Sequence, residues 1–216
     1  MQLRRSPEFA NLSVVEMDRL LASVQIKEFH RGQVLFDQGD PRNYYYYILS
    51  GIVKTFHWSE DGDEQLYLYV RPHKGFPYIG LFEDQLYSYT AQTMTKVRLA
   101  VFPIEVYEKA VRSSPAMGIA VIKEMSRIIQ SEEAQLRSMV TTSAKSRVWN
   151  AIWYIGQQIG EPKDDGTTLI PYPITLIELS KISGTTRETT SQMVAELVGE
   201  KRILYNRKFF LILENG

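Results

Sequence analysis

The 216-residue chain contains no cysteine. Disulfides, thiolate-ligated zinc and cysteine-held iron–sulfur clusters are therefore excluded. It also lacks an excess of charge of either sign, because 25 Lys and Arg balance 25 Asp and Glu. A neutral chain has no global field with which to coat nucleic acid, so any DNA contact has to be built locally. Long apolar runs are missing as well. The start, MQLRRSPEFANL, has no apolar signal core and no segment suits a bilayer span, which predicts a cytoplasmic protein with no membrane partner. A length of 216 residues allows two domains, each with its own core.

The most informative stretch is Ile174–Leu197, which reads as a helix-turn-helix. Thr175 with Glu178 makes a capping-box start, Leu179 and Ile182 give a first helix its apolar face, and Gly184 supplies a turn residue free to take positive φ. A second helix begins at Thr185–Thr186 and places Met193, Val194, Leu197 and Val198 on its inner stripe. Its outer face carries Arg187, Glu188, Thr189, Ser191 and Gln192. Arg matches the two acceptors of guanine, Gln matches adenine and Glu accepts from cytosine N4, so this face has the chemistry to read base edges.

Upstream, Pro7–Ser23 has helical spacing with a capping box at Ser13 and Glu16. From Phe29 to Phe102 the texture becomes short β-rich runs: Leu66, Leu68 and Val70 alternate with Tyr67 and Tyr69, and Val97, Leu99 and Val101 repeat the period of two. The DGD at Asp61–Asp63 marks a hairpin turn, and strands at this spacing suggest a barrel or jelly roll. In the run Tyr44–Tyr47, alternation would send two rings inward and two outward, as in ordinary strand packing. Pro103 opens a helical region broken at Pro115. Beyond it Ile122, Met125, Ile129, Glu132, Leu136 and Met139 step by three and four, a heptad seam with one acid where a register-setting polar residue would sit. Such a stripe serves either a dimer or packing on the chain's own barrel. Thr141–Ser143 reads as a hinge, Val148, Ile152, Ile155 and Ile159 mark a further helix, and Gly160–Tyr172 reads as a polar loop. At the end, Arg202–Tyr205 and Phe209–Leu213 flank Asn206–Arg207–Lys208, a hairpin wing with a basic tip.

This layout resembles the CRP/FNR family of bacterial transcription regulators. The likeness rests on Gly32-Gln-Val-Leu-Phe36, Gln38-Gly39-Asp40, Tyr47-Ile-Leu-Ser-Gly51 and Gly184-Thr-Thr-Arg-Glu-Thr-Thr-Ser191. It implies an α+β chain: a cyclic-nucleotide-binding-like β-roll (jelly roll) sensor at 1–112, a dimerisation helix and hinge at 113–142, and a winged helix-turn-helix at 143–216. It also implies a homodimer on a near-palindromic DNA operator, with recognition helices about 34 Å apart. By resemblance Arg187 and Glu188 read bases, with Gln192 standing where the family usually has Arg. Thr175, Thr186 and Thr189, with Arg207 and Lys208 on the wing, then serve the backbone and groove edge. The acidic hairpin of Asp61, Asp63 and Glu64 lies where the family often contacts RNA polymerase.

The nucleotide cassette of the cyclic-AMP branch is altered here. In Phe76–Tyr89, Pro77 stands for its Gly, Tyr78 for its Glu and Tyr87 for its Arg, while Ser88 survives; Glu132 falls where that branch meets the base. A buried phosphate without its Arg would be an unpaired charge, so no cyclic-AMP site and no cofactor are expected, as in PrfA-like and other non-nucleotide branches. Tyr78, Tyr87, Ser88 and Glu132 either line a pocket for an unidentified small-molecule effector or simply fill the barrel, leaving control by abundance. The rival readings are a cupin-like metal-binding β-barrel enzyme and a non-DNA regulatory subunit. His30, His57 and His73 are the only histidines, and His57 with Glu60 and Glu64 is too sparse for a metal site. No Ser/His/Asp set or phosphate-cradling loop is present, so no enzyme and no catalytic residue are expected.

Overall fold

The structure, a computed structural model, describes residues 2–10, 12–60, 62, 64–140 and 143–213. It forms two compact units, 1–129 and 130–216. In the first, a 3₁₀ turn at Gln2–Arg5 precedes helix α1 (Val14–Ser23). The Ser13–Glu16 box closes both ways: Glu16 N donates to Ser13 Oγ at 3.2 Å and Ser13 N to Glu16 Oε2 at 2.8 Å. Eight strands follow: β1 (Gln25–Phe29), β2 (Val34–Phe36), β3 (Tyr44–Ser50), β4 (Val53–Trp58), β5 (Glu64–Val70), β6 (Gly75–Phe76), β7 (Thr90–Thr93) and β8 (Val97–Pro103). They pair antiparallel in two sheets, β1-β8-β3-β6 and β2-β7-β4-β5. This is the β-roll of an α+β protein; β4 and β5 pair antiparallel, with Gly62 between them at φ 78°, while Asp61 and Asp63 of the expected DGD turn lie outside the described residues.

Strand β3 is covered on both faces. Tyr46 and Ile48 join Phe36, Leu68 and Tyr89 in the core between the sheets. Tyr45 and Tyr47 point the other way and are equally buried, against Phe9, Met17, Leu20 and Tyr107. The expected alternation is present, but the outward rings meet helices rather than water. Helix α2 (Ile104–Ser113) starts directly from β8 at Pro103. Ser114 separates it from the 25-residue helix α3 (Pro115–Met139), whose first position is a proline with no N–H to lose. Helix α3 runs through the division between the two units.

The second unit contains α4 (Ala144–Ile159), β9 (Glu161–Pro162), β10 (Thr168–Leu169), α5 (Leu176–Ser183), α6 (Arg187–Gly199), β11 (Ile203–Asn206) and β12 (Phe209–Ile212). The sequence reading of 160–172 as a plain loop needs correction. Its middle turns at Gly166 (φ 82°), and its ends form β9 and β10, extending the wing to a four-stranded sheet β11-β12-β10-β9. The strands escape notice because they are two residues long, and only the pairing of Thr168 with Ile212 and Leu169 with Leu211 defines them. The Thr141–Ser143 hinge lies largely outside the described residues. Ser143 itself caps α4, its Oγ accepting from Ser146 N. No helix among the described residues is long and apolar enough to cross a membrane.

Candidate nucleic-acid interface

The helix pair α5–α6 is built as its residues dictate. Thr175 Oγ1 accepts from Glu178 N at 3.0 Å and starts α5; Gly184 ends it in the left-handed region (φ 58°, ψ 42°), which costs a glycine nothing. Thr186 Oγ1 accepts from Thr189 N at 3.1 Å and starts α6. Thr175, Thr186 and Thr189 thus have structural partners, the first two as caps. Arg187 and Glu188 stand on the first turn of α6 with 61% and 78% of their side chains exposed, 4.0 Å apart. Gln192, one turn on, is exposed and donates to Glu196 at 3.4 Å. Arg187, Glu188 and Gln192 therefore share the outward face of one helix.

The inner stripe differs from expectation. Val194 and Leu197 are buried, but Val198 is 37% exposed, and Thr190, with 0% exposure, takes the remaining inner position. Its hydroxyl lies 2.7 Å from that of Thr185, which lies 2.9 Å from that of Ser183. This hydroxyl chain stitches the turn between the helices. It was missed because threonines near a helix start read as caps, although the spacing 190, 194, 197 marks Thr190 as inward. Arg147 Nε also donates to Ser183 O at 3.3 Å, tying α4 to the same turn.

Arg207 and Lys208 form the two-residue turn between β11 and β12, at φ 48° and 72°. Both are exposed, and left-handed backbone costs an L-residue roughly 1–2 kcal/mol. Asn-Gly would make this turn more cheaply; here two cations occupy the strained tip. Ile174 N donates to Lys208 O at 2.8 Å, which fixes the wing tip beside the start of α5.

The remaining sequence-predicted positions scatter. On α3, Ile122, Ile129 and Leu136 are 57–66% exposed, whereas Met125 is partly buried against the chain's own β-roll core. Glu132 is half-buried too: its Oε1 accepts from the Tyr154 hydroxyl of α4 at 2.9 Å. Burial raises the Glu132 carboxyl pKa and the Tyr154 hydrogen bond partly offsets this. The Met139 side chain, Asp61 and Asp63 lie outside the described residues; Glu64 is paired with Lys54 at 2.5 Å.

Tyr78 and Tyr87 do not line one pocket. Tyr78 belongs to the helix-facing cluster, its hydroxyl 3.0 Å from that of Tyr45. Tyr87 belongs to the inter-sheet core, stacked on Phe36 at 3.7 Å with its hydroxyl donating to Tyr44 O. The Ser88 hydroxyl is buried and has no hydrogen-bond partner. Among the described residues no cluster of His, Asp and Glu could hold a metal.

Comparison with known proteins fits this architecture. Residues 26–114 match the cyclic nucleotide-binding domain family. Over 202 residues, covering 91% of this chain and 90% of its relative, the sequence is 27% identical to the global nitrogen regulator of Synechococcus elongatus. It is 23% identical over 213 residues to the CRP-like cAMP-activated global transcriptional regulator of Mycobacterium tuberculosis, covering 99% and 95% of the two. Its fold is shared with the c-di-GMP responsive global regulator CLP of Xanthomonas campestris, with a TM-score of 0.75 at 18% identity over 94% of this chain and 100% of that one. With a β-roll, a long helix and a winged helix-turn-helix following one another, the chain is similar from end to end to CRP-type global transcription regulators, and its β-roll to the cyclic nucleotide-binding domain family.

Proposed function

We propose that this regulator is a homodimer that binds a near-palindromic DNA operator, reading bases with Arg187, Glu188 and Gln192. Thr175, Thr186, Thr189, Arg207 and Lys208 line the backbone side, and RNA polymerase is the further partner. Residues 1–112 act as sensor, 113–142 as dimer helix and hinge, and 143–216 as reader. The observation that carries this reading is the outward face of α6, where a positive, a negative and an amide side chain stand exposed on a capped helix. The strained basic wing tip supports it. The exposed Ile122, Ile129 and Leu136 on one side of α3 support a second copy as the seam's partner. The test is a selection of bound sequences from random duplexes by the purified protein without added ligand. A near-palindrome with half-sites one helical turn apart is the expected product. Retention of DNA without any sequence enrichment would overturn the reading.

The β-roll works without a cyclic-AMP site. Tyr78 and Tyr87 are buried in two different cores, so neither is free to meet a ribose or a phosphate, and neither supplies a cation. This favours a roll filled by its own side chains, with control by abundance, over a Tyr78–Tyr87 effector pocket. Calorimetric titration with cyclic AMP should be flat; a low-micromolar site would refute this.

A further inference from the structure

Among the described residues, Glu8 is the one buried carboxylate, and the DNA-reading mechanism leaves it unused. It sits in the amino-terminal segment, between Leu3 and Phe9, which are 1% and 0% exposed against α1, β3 and the first turns of α3. Three phenols converge on it. Tyr45 of β3 donates to Oε1 at 2.7 Å, Tyr107 of α2 donates to the same oxygen, and Tyr78 lies 3.3 Å from Oε2. The Tyr45 and Tyr107 rings stack at 3.5 Å. Gly75 makes the arrangement fit, because a Cβ there would collide with the Tyr45 hydroxyl.

The four contacts accommodate a proton on Glu8. Tyr45 and Tyr78 also lie within 3.0 Å of each other, so four contacts have only three phenolic hydrogens to serve them. A proton on Glu8 supplies the fourth. Oε2–H then donates to Tyr78, Tyr78 to Tyr45, and Tyr45 and Tyr107 to Oε1, so every hydroxyl is used once. The surroundings agree. From its own segment Glu8 meets the hydroxyl of Ser6, which accepts from Glu8 N. From β3 and α2 it meets only phenols. From α3 the nearby charge is Glu124, a carboxylate already held by Lys74 and Arg127.

We propose that residues 2–10 form a pH-gated latch, closed on the β-roll and the start of α3 while Glu8 is protonated and loosened when it ionises. Burial pushes the Glu8 carboxyl from 4.5 up to about 7; the tyrosine hydrogen bonds pull it down, and Glu124 adds to the rise. A group whose docked pKa is raised binds its proton more tightly when docked. The latch is therefore strongest below the ordinary carboxylate range and weakens as pH rises toward 7, beyond which the loss levels off. Phe9 and Leu3 share a core with Met117 and Val121, so opening would alter the seat of the dimer helix.

Hydrogen exchange of the full-length protein, read by mass spectrometry and corrected for intrinsic rates, tests this. With the two pKa values above, the opening equilibrium of residues 2–10 should rise about thirtyfold between about pH 5.5 and about pH 8.5. Exchange in β8 should stay unchanged, and Glu8→Gln should hold the segment closed throughout. Flat exchange in the wild type, or the same pH dependence in Glu8→Gln, would overturn the latch. A second variant guards against misfolding of the first. Glu124→Gln removes the neighbouring carboxylate and should move the opening midpoint to lower pH, and an unmoved midpoint also counts against the proposal.

Discussion

Replacing Arg187 with Ala separates base reading from every structural role this residue has. Its side chain is 61% exposed and its ion pair with Glu188 is at the 4.0 Å limit, so the fold loses little: within about 0.5 kcal/mol. A bidentate contact to guanine is worth about 1–3 kcal/mol of discrimination. A dimer loses it twice, giving about 2–6 kcal/mol, or roughly thirtyfold to more than ten-thousandfold weaker operator binding. The assay is competition anisotropy with the selected operator, operators changed symmetrically at one base, and a random duplex, all at one salt concentration. The variant should melt with the wild type, lose operator affinity, nearly keep random-duplex affinity, and stop distinguishing bases at one position per half-site. Equal losses on operator and random DNA, with a shallower salt dependence, would make Arg187 a phosphate contact and refute the reasoning.

Two further outcomes test other parts of the molecule. Thr190→Val keeps shape but breaks the hydroxyl chain to Thr185 and Ser183, so the second unit should lose about 1–2 kcal/mol in thermal or urea unfolding; an unchanged midpoint would show that the chain contributes nothing net. The double change Ile122→Glu and Ile129→Glu places charge on exposed apolar positions of α3, and should yield a folded monomer by sedimentation, whereas a persistent dimer would locate the seam elsewhere.

Much of the architecture was legible because it depends on local signals. The caps at Ser13 and Thr175, the helix start at Thr185–Thr186 and the left-handed Gly184 each act within four residues, and a sequence shows such spacings directly. What escaped depends on partners far along the chain. The β9–β10 hairpin exists through its pairing with β12, some forty residues on. Met125 and Glu132 fit a heptad by number, yet one packs on its own β-roll and the other bonds Tyr154, contacts that heptad spacing alone does not encode. Glu8 gave no signal at all. A lone acid beside a proline reads as surface, and its burial follows from three tyrosines 37, 70 and 99 positions away.

The aromatic replacements in the β-roll also bear on how such a regulator can be switched. A ligand moves a two-state protein only by its difference in affinity for the two states. Here the residues standing where a nucleotide would be held make their contacts on folding: Tyr78 in the Glu8 cluster, Tyr87 against Phe36 and the Tyr44 backbone. Neither set of contacts includes a cation that could meet a cyclic phosphate. Under the proposed reading, control comes from the number of molecules, or from a change in the core contacts themselves. Hydrogen bonds between phenols do not change near neutral pH, since burial drives the pKa values of Tyr45, Tyr78 and Tyr107 up, away from that range. The carboxyl they surround does change there, at about 7. Under the proposed latch, the proton on Glu8 is the ligand that comes and goes in this tyrosine-filled roll.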